Sequence, residues 1–322
     1  GTKVYANLVK GLERIGYPFV VNRTLDSTTR IWVHNQVFAL PAVLRRKRAQ
    51  RVLGPNLFVM PRDIPVGISF NGCVYLQPCE WAAEMWTGTG FTDCPITVWP
   101  VGVDTEEFRP AEAPMRSERV LIYHKRRDAS ELATIKRVLD DHGLPYTQIT
   151  YGDYHESEYK EALAEASFVI WHGRAESQGL ALLEALASDC PVLVCDVTSV
   201  LNSGGDSYTF ELGDGRFEVT AAPYFDESCG LRIIDLSELG RAVERMRSEA
   251  DRFRPREFVL RHLSLEKQAR AFVGLWDAWG SAVPERLTSD PRTAGMWTPS
   301  SVDVLSLRVR RRMRLLTRRA LR

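Results

Sequence analysis

The amino-acid sequence predicts an α/β protein with two domains, each built on a parallel β-sheet that helices cover on both faces. Its 322 residues exceed what one compact core of ordinary size holds. Short apolar runs with strand character alternate with helical segments, a pattern typical of parallel sheets. Residues 167–195 read as strand, turn, helix and strand, which is one complete βαβ unit.

The first domain is predicted to cover residues 1–105 and to begin with a helix. Thr2 is a suitable cap, and apolar residues repeat at helical spacing as far as Ile15. Prolines within residues 106–118 indicate an extended linker after this domain. Further elements are expected as strands at 18–21, 31–34, 56–60 and 73–77, and as helices near 37–50 and 79–87.

The second domain is predicted to cover residues 119–280. Residues 200–230 within it are rich in Gly, Ser and Asp and have no readable pattern. One helix is expected to start near Glu176. The other elements are expected as strands at 119–123, 146–150, 167–171 and 191–195, and as helices at 130–142, 155–166, 237–249 and 264–279.

The composition is typical of soluble globular proteins. Apolar residues make up 44% and charged residues 26% of the chain, and no apolar run has the length of a membrane span. The six cysteines include no CxxC pair, and several lie in apolar runs, which favours buried free thiols and a reduced, cytoplasmic setting. No His, Cys or Asp cluster has metal-ligand spacing, so we expect neither a metal nor another cofactor.

The net charge of +1 combines two very different regions. Residues 303–322 carry eight arginines and one aspartate, a local charge of +7, which leaves −6 for the rest of the chain. The protein is therefore not expected to bind nucleic acid. Within the predicted tail, 281–322, a proline-containing linker precedes a basic amphipathic helix, which predicts contact with an anionic membrane surface at its inner face. A disordered basic tail, or one bound to an acidic patch of the protein, is the alternative.

The segment Glu176–Val194 carries the strongest functional signal. Two acids, Glu176 and Glu184, stand eight residues apart with Gly179 between them, on what reads as the start of a helix. On one helix they would lie about 12 Å apart along the axis and within roughly 80° around it. A helix N-terminus offers free N–H groups to phosphates, and a carboxylate on either side accepts hydrogen bonds from hydroxyls. The pattern therefore indicates a nucleotide-sugar site.

This segment resembles the E-x7-E signature of GT-B retaining glycosyltransferases of family four. Residues 95–110, Pro-Ile-Thr-Val-Trp-Pro-Val-Gly-Val-Asp-Thr-Glu-Glu-Phe-Arg-Pro, resemble the interdomain sequence of that family, V-I-P-N-G-V-D-x-x-x-F-x-P. Gln178 departs from the usual Phe, and Ser188-Asp189-Cys190 departs from the usual glycine-containing segment. The resemblance implies the GT-B fold, with two Rossmann-like domains whose parallel sheets face a central cleft. It also implies that the last helix crosses back to the first domain, which is expected to miss the first strand of the family.

The resemblance assigns roles to the residues of the motif. Glu176 would position the donor sugar, and Glu184 would bind the ribose hydroxyls of the nucleotide. The backbone N–H groups of Gln178, Gly179 and Leu180 would face the diphosphate. Plainer interpretations are an acid that complements the helix dipole for Glu176, a solvated helix residue for Glu184, and an ordinary turn glycine for Gly179.

Three consecutive basic residues, Lys125, Arg126 and Arg127, follow the first strand of the second domain. Family members use an Arg/Lys pair in this region to neutralise the leaving diphosphate. If the strand continues, its alternation sends Lys125 and Arg127 to the same side. These two residues are therefore the predicted catalytic pair, and Arg126 is a predicted donor contact. A basic cluster on the surface is the alternative.

Residues at other strand ends complete the predicted site. Gly152 lies where family members hold the base, and Gly173 and Arg174 follow the strand before Glu176. His34 ends a strand of the first domain, where family members often carry a histidine that faces the donor, and it is therefore a predicted catalytic residue. A purely structural histidine is the alternative.

Together these residues predict a metal-independent hexosyltransferase. It would move a hexose from a nucleoside diphosphate sugar of UDP or GDP type to a hydroxyl of a glycan or lipid-linked acceptor. Retention at the anomeric carbon is implied by the resemblance alone. A catalytically inactive nucleotide-sugar-binding or scaffold protein at the membrane surface is the main alternative. A nucleotide-sugar epimerase has less support, because the first domain offers no convincing acid pair for it.

Overall fold

A computed structural model describes residues 2–22, 25, 28–111, 118–198 and 219–279. Within them the chain forms two sheets, one in each half, and all the paired strands of both sheets are parallel. α-Helices lie between several of the consecutive strands, so the predicted α/β fold class is confirmed.

The first sheet has four strands in the order β1-β2-β3-β4. Apolar side chains cover both of its faces, because neighbouring residues of a strand point to opposite sides. Tyr75 packs with Trp86 on one face, whereas Leu76 packs with Leu8 on the other. The elements are β1 (Arg30–Val33), β2 (Gln50–Leu53), β3 (Val74–Gln77) and β4 (Ile96–Val98), with α1 (Thr2–Arg14), α2 (Leu40–Leu44) and α3 (Glu80–Gly88).

The second sheet has five strands in the order β6-β5-β7-β8-β9. The side chain of Asp128 caps the first helix of this half by accepting a hydrogen bond from the Ser130 N–H. The strands are β5 (Val120–His124), β6 (Tyr146–Thr150), β7 (Phe168–His172), β8 (Val192–Cys195) and β9 (Gly230–Ile233). The helices are α4 (Ala129–Asp141), α5 (Glu156–Glu165), α6 (Leu180–Ala187), α7 (Leu239–Ser248), α8 (Pro255–His262) and α9 (Leu265–Asp277).

The last helix, α9, belongs to the second half in sequence but packs on the first sheet. Its Phe272 and Trp276 share one apolar cluster with Leu8 of α1 and with residues of β2 and β3. The helices α1 and α9 approach closely at Gly11, where a Cβ atom would lie 2.7 Å from the Leu265 carbonyl oxygen. This crossing, which the resemblance implies, ties the two halves together.

Two predicted strands of the first half are wrong, and one predicted helix ends earlier than expected, at Leu44. Residues 18–21 are largely exposed and lie outside both sheets. Residues 56–60 are not a strand either, because Gly54 (φ 81°) and Asn56 (φ 67°) take left-handed conformations that end the extended backbone. The strand of this region is β2, which begins where the helix predicted at 37–50 was expected to end.

The helix of the acidic motif begins four residues later than predicted. α6 starts at Leu180, and Gly179 before it has a left-handed φ of 63°. A residue in that conformation does not belong inside an α-helix. Glu176 therefore lies in the preceding loop, and the 12 Å separation calculated for two acids on one helix does not apply. The strands β4 and β9 and the helix α8 were not predicted.

The six cysteines are all buried and free. Within the described ranges, no helix combines the length and the apolar character needed to cross a membrane. The predictions for the tail, 281–322, and for part of the linker, 112–117, concern residues outside those that the structure describes.

Candidate functional site

Most of the predicted site residues lie at or just after the carboxyl ends of the strands of the second sheet, where open parallel sheets bind ligands. Lys125 follows β5, and its backbone N–H donates to the His172 carbonyl oxygen at 3.0 Å. Its Nζ lies 2.5 Å from Glu176 Oε1 and 4.3 Å from the centre of the Tyr151 ring. The structure therefore brings Lys125 and Glu176 together and adds Tyr151, which sequence reasoning missed.

The loop that carries Glu176 is held from both domains. The Glu176 N–H donates to the Thr220 carbonyl oxygen at 2.9 Å. The Glu176 carbonyl oxygen accepts a hydrogen bond of 2.9 Å from Nε1 of Trp81, a residue of α3 in the first domain. Tyr224 of the second domain also donates to the Pro78 carbonyl oxygen, close to Trp81 in the chain. These contacts bury the Glu176 side chain between the two domains.

The N-terminus of α6 lies next to this loop. Its first-turn N–H groups have no acceptor within the helix, because an α-helix leaves its first donors unpaired. Gly179, in the left-handed conformation, turns the chain into the helix at Leu180. Across the domain boundary, Gln178 Oε1 accepts a long hydrogen bond of 3.5 Å from the Val101 N–H. An anion at this position would meet the free N–H groups and the positive end of the helix dipole.

Glu184 lies on α6 and is paired with a lysine from the first domain. Its side chain is 3% exposed, and Nζ of Lys3, on α1, lies 2.5 Å from its Oε1. Burial raises the pKa of Glu184 to about 7, against the attraction of Lys3. Burial lowers the pKa of Lys3, but the attraction of Glu184 and the hydrogen bond to Glu156 together outweigh burial and leave that pKa raised. Lys3 was not predicted as a site residue, since nothing in the sequence distinguishes it from Lys10, the other lysine of α1.

Arg127 does not join Lys125, so the alternation predicted for this segment is wrong. β5 ends before Lys125, and Arg126 takes a left-handed φ of 54°. The Arg127 side chain is 5% exposed, and its Nε donates to Glu131 at 2.7 Å. Its Nη1 donates to the carbonyl oxygens of Gly173 and Cys195. Arg127 thus fastens the ends of β7 and β8, whereas Arg126 lies over the Tyr151 ring at 5.5 Å.

Two histidines form a neutral network beside Lys125. The Nδ1 atoms of His124 and His172, which end β5 and β7, lie 3.0 Å apart, and Nε2 of His172 lies 3.0 Å from Glu131 Oε2. Burial lowers the pKa of His172 to about 4, and burial also lowers the pKa of His124. Both rings are therefore neutral at pH 7, and they fix the two strand ends without adding charge to the site.

The remaining predicted residues lie at strand ends as well. Gly152 forms the turn after β6 with a φ of 85°. Gly173 has no space for a side chain, since a Cβ atom would lie 2.7 Å from the indole nitrogen of a neighbouring tryptophan. Arg174 is half-buried at the same edge of the second sheet. His34 follows β1, at the carboxyl edge of the first sheet, and its ring stacks on Trp32 with 5.1 Å between ring centres.

The site thus combines two buried carboxylates, a helix N-terminus and the ammonium group of Lys125. Carboxylates accept hydrogen bonds from hydroxyls, whereas the N–H groups and the ammonium favour a phosphate. Among the described residues, no group of three or more His, Cys, Asp or Glu side chains could hold a metal ion. The ligand that these groups suit carries hydroxyls on both sides of a phosphate.

No protein-family model matches the sequence, and no curated protein matches it. Solved structures do match. TarM aligns with a TM-score of 0.50 and 11% identity over 84% of this chain and 57% of that chain. The catalytic domain of starch synthase IV from Arabidopsis thaliana, solved with ADP and acarbose, aligns with a TM-score of 0.50 and 12% identity over 86% of this chain and 76% of that chain.

Sucrose-phosphate synthase from Thermosynechococcus elongatus also matches, with a TM-score of 0.48 and 14% identity over 79% of this chain and 74% of that chain. Identities of this size establish similarity of fold. The two parallel sheets of this chain agree with its similarity to TarM and to the starch synthase domain. The prediction is therefore confirmed that this chain has the GT-B fold, with two Rossmann-like domains.

Proposed function

We propose that this protein is a glycosyltransferase that moves a hexose from a nucleoside diphosphate sugar, of UDP or GDP type, to a hydroxyl of a glycan or lipid-linked acceptor. The arrangement around α6 carries the proposal. Glu176 precedes the helix N-terminus, Glu184 follows it, and Lys125 contacts Glu176. The sugar hydroxyls would meet Glu176, the diphosphate would meet the helix N-terminus, and the ribose hydroxyls would meet Glu184.

The leaving diphosphate would lie against the N–H groups of Gln178, Gly179 and Leu180. Negative charge develops on the leaving oxygen while the glycosidic bond breaks, and preorganised donors stabilise it without a metal. The Lys125 ammonium would supply positive charge, and the Arg126 guanidinium lies 5.5 Å from the centre of the Tyr151 ring that Lys125 also contacts. Loss of one such donor typically lowers kcat about 10²–10³-fold, which is the effect that we expect for Lys125→Met.

Glu176 would accept hydrogen bonds from hydroxyls of the transferred sugar. Its backbone is fixed from both domains by Trp81 and Thr220, so the carboxylate has little freedom to move when the sugar binds. Contacts between the domains, such as that of Trp81, would help to exclude water that would hydrolyse the donor. Glu184 would bind the ribose, and the base would lie by the turn at Gly152. The proposal includes retention of configuration at the anomeric carbon, and its support is the resemblance to retaining glycosyltransferases.

Thermal shift with UDP, GDP, ADP and their sugar conjugates tests the donor site. A ligand at 100 times its Kd stabilises a protein by about 2.7 kcal/mol, which is visible in the melting temperature. One nucleotide should stabilise the wild-type protein but not Glu184→Ala. Glu161→Ala, at an exposed position of α5, is the matched control and should behave as wild type. If no nucleotide shifts either protein at millimolar concentration, the proposal is refuted.

One observation favours the second candidate, a catalytically inactive nucleotide-sugar-binding or scaffold protein. Both acids of the motif are already paired with lysines of this chain, Glu176 with Lys125 and Glu184 with Lys3. The two functions differ in turnover. The enzyme would release the nucleoside diphosphate when glycan or lipid-linked acceptors are added, whereas the inactive protein would bind the donor and release nothing.

The proposal includes a cytoplasmic location with peripheral contact to the inner face of the membrane through residues 303–322. Its support is the basic amphipathic pattern of that segment. Sedimentation with vesicles that contain anionic lipid tests it. The full chain should sediment with such vesicles and not with neutral ones, and a variant that ends at residue 280 should stay in solution. Equal binding of both chains would show that the tail is not the membrane contact.

A further inference from the structure

A lysine of the first helix already contacts Glu184, the carboxylate that would bind the ribose. Lys3, in the first turn of α1, reaches from the first domain to Glu184 of the second domain, with its Nζ 2.5 Å from Oε1. A ribose hydroxyl that donates to a carboxylate needs an O···O distance of about 2.7 Å. Because Glu184 is almost fully buried, the Lys3 ammonium fills the position that such a hydroxyl would take at Oε1.

A second acid is ready to receive Lys3 when it leaves Glu184. The Lys3 Nζ lies 2.8 Å from Oε2 of Glu156 on α5 and 5.0 Å from the centre of the Phe108 ring. The side chains of Lys3 and Glu156 are both partly exposed, so this second ion pair is in contact with water. The ammonium can therefore give up Glu184 and remain paired, since it is bonded to Glu156 throughout.

We propose that Lys3 is a built-in competitor of the nucleotide: it holds the ribose position on Glu184 until the donor binds, and it then stays paired with Glu156 alone. The inference rests on the proposed function, because it takes Glu184 as the ribose ligand. The exchange couples the two domains. α1 packs on the first sheet and on α9, whereas Glu184 belongs to the second domain, so nucleotide binding breaks one of the contacts between them.

Isothermal titration with UDP, GDP and ADP tests the competition. Wild type, Lys3→Met and Lys3→Gln are compared with Lys10→Met. Lys10 lies two turns further along α1 and pairs with Asp104 and Glu107, so its substitution removes the same kind of charge away from the site. We expect both Lys3 variants to bind the nucleotide about tenfold more tightly, because the nucleotide no longer has to break the charge-assisted hydrogen bond between Lys3 and Glu184. Lys10→Met should bind as wild type.

Three results would count against the inference. Weaker binding by both Lys3 variants would show that Lys3 holds the nucleotide. Unchanged binding would show that the ion pair does not compete. If no nucleotide binds any of the proteins, the proposed function fails, and the inference fails with it, a result distinct from the other two. Circular dichroism confirms that each variant is folded; should Lys3→Met not fold, Lys3→Gln, which keeps a polar group beside Glu184, provides the same comparison.

Discussion

Glu184→Gln is the substitution whose effect on stability follows most directly from the structure. Burial raises the pKa of the Glu184 carboxyl from its usual 4.5 to about 7, although Lys3 lies beside it. The folded protein therefore keeps this proton at pH values where the unfolded chain has lost it. Glutamine has nearly the same shape and cannot ionise, so it removes the cost of a buried charge and leaves the packing of α6 in place.

The sign and size of the effect follow from linkage. Since the pKa is higher in the folded state, the stability that protonated Glu184 contributes is fully present below about pH 4.5 and is lost as the pH rises through about 7. The difference between about 7 and 4.5, at 1.36 kcal/mol per unit, corresponds to about 3 kcal/mol. The charged groups that act on Glu184 are Lys3, Glu156 and Glu107. The pKa of Lys3 is raised and that of Glu156 is lowered, so both stay ionised across this window.

Melting temperatures measured from pH 5 to pH 8.5 test this reasoning. Relative to Glu184→Gln, the wild-type protein should lose stability as the pH rises, at about 2–4 °C for each kcal/mol in a domain of this size. The two curves should converge towards pH 5. Glu161→Gln, at an exposed position, should follow the wild-type curve. Parallel curves for wild type and Glu184→Gln would refute the assignment of a buried carboxyl that titrates near neutrality.

Three further substitutions test the packing. Gly11→Ala should destabilise the protein by about 1–3 kcal/mol, because its Cβ atom would lie 2.7 Å from the Leu265 carbonyl oxygen. Gly274→Ala, on α9, has nothing within 4 Å of the new Cβ atom and should instead stabilise the protein by about 0.5–1 kcal/mol. The urea midpoints of the two variants are compared with that of the wild type. Equal shifts of the two midpoints would contradict the close contact of α1 and α9. Arg256 donates to the carbonyl oxygens of Thr105 and of two other residues. Arg256→Met should cost about 2 kcal/mol in urea denaturation, since it leaves them unpaired, and no loss would show that water replaces the guanidinium.

The second sheet could be read from the sequence because its inner strands are buried on both faces. Val120–His124 and Phe168–His172 are short apolar runs between turns, and each begins and ends within one residue of its prediction. β2 has no such signal. It begins with Gln50 and Arg51, and Arg51 is buried only because its guanidinium donates to carbonyl oxygens that the fold brings to it. Polar residues that are satisfied by distant backbone groups cannot be recognised from periodicity.

The candidate site divides in the same way. The neighbourhood of Lys125 and Glu176 was predictable, since both follow adjacent parallel strands whose carboxyl ends share one edge. The partner of Glu184 was not, because Lys3 reaches it across the cleft and no spacing rule links residues of two domains. The separation of Arg127 from Lys125 also depends on one backbone angle, the left-handed φ of Arg126, which a sequence does not specify.

Lys125 and Lys3 would differ in which group balances their positive charge after a nucleotide-sugar donor binds. Sugar and ribose hydroxyls are neutral, so they can replace a lysine as hydrogen-bond donor to a buried carboxylate but cannot take up the lysine's own charge. Lys125 remains in the site, where the diphosphate would neutralise it. Lys3 has Glu156 for the same purpose. Under the proposed function, a nucleoside without phosphates would displace Lys3 and leave Lys125 on Glu176, and the diphosphate would be the part of the donor that frees Glu176.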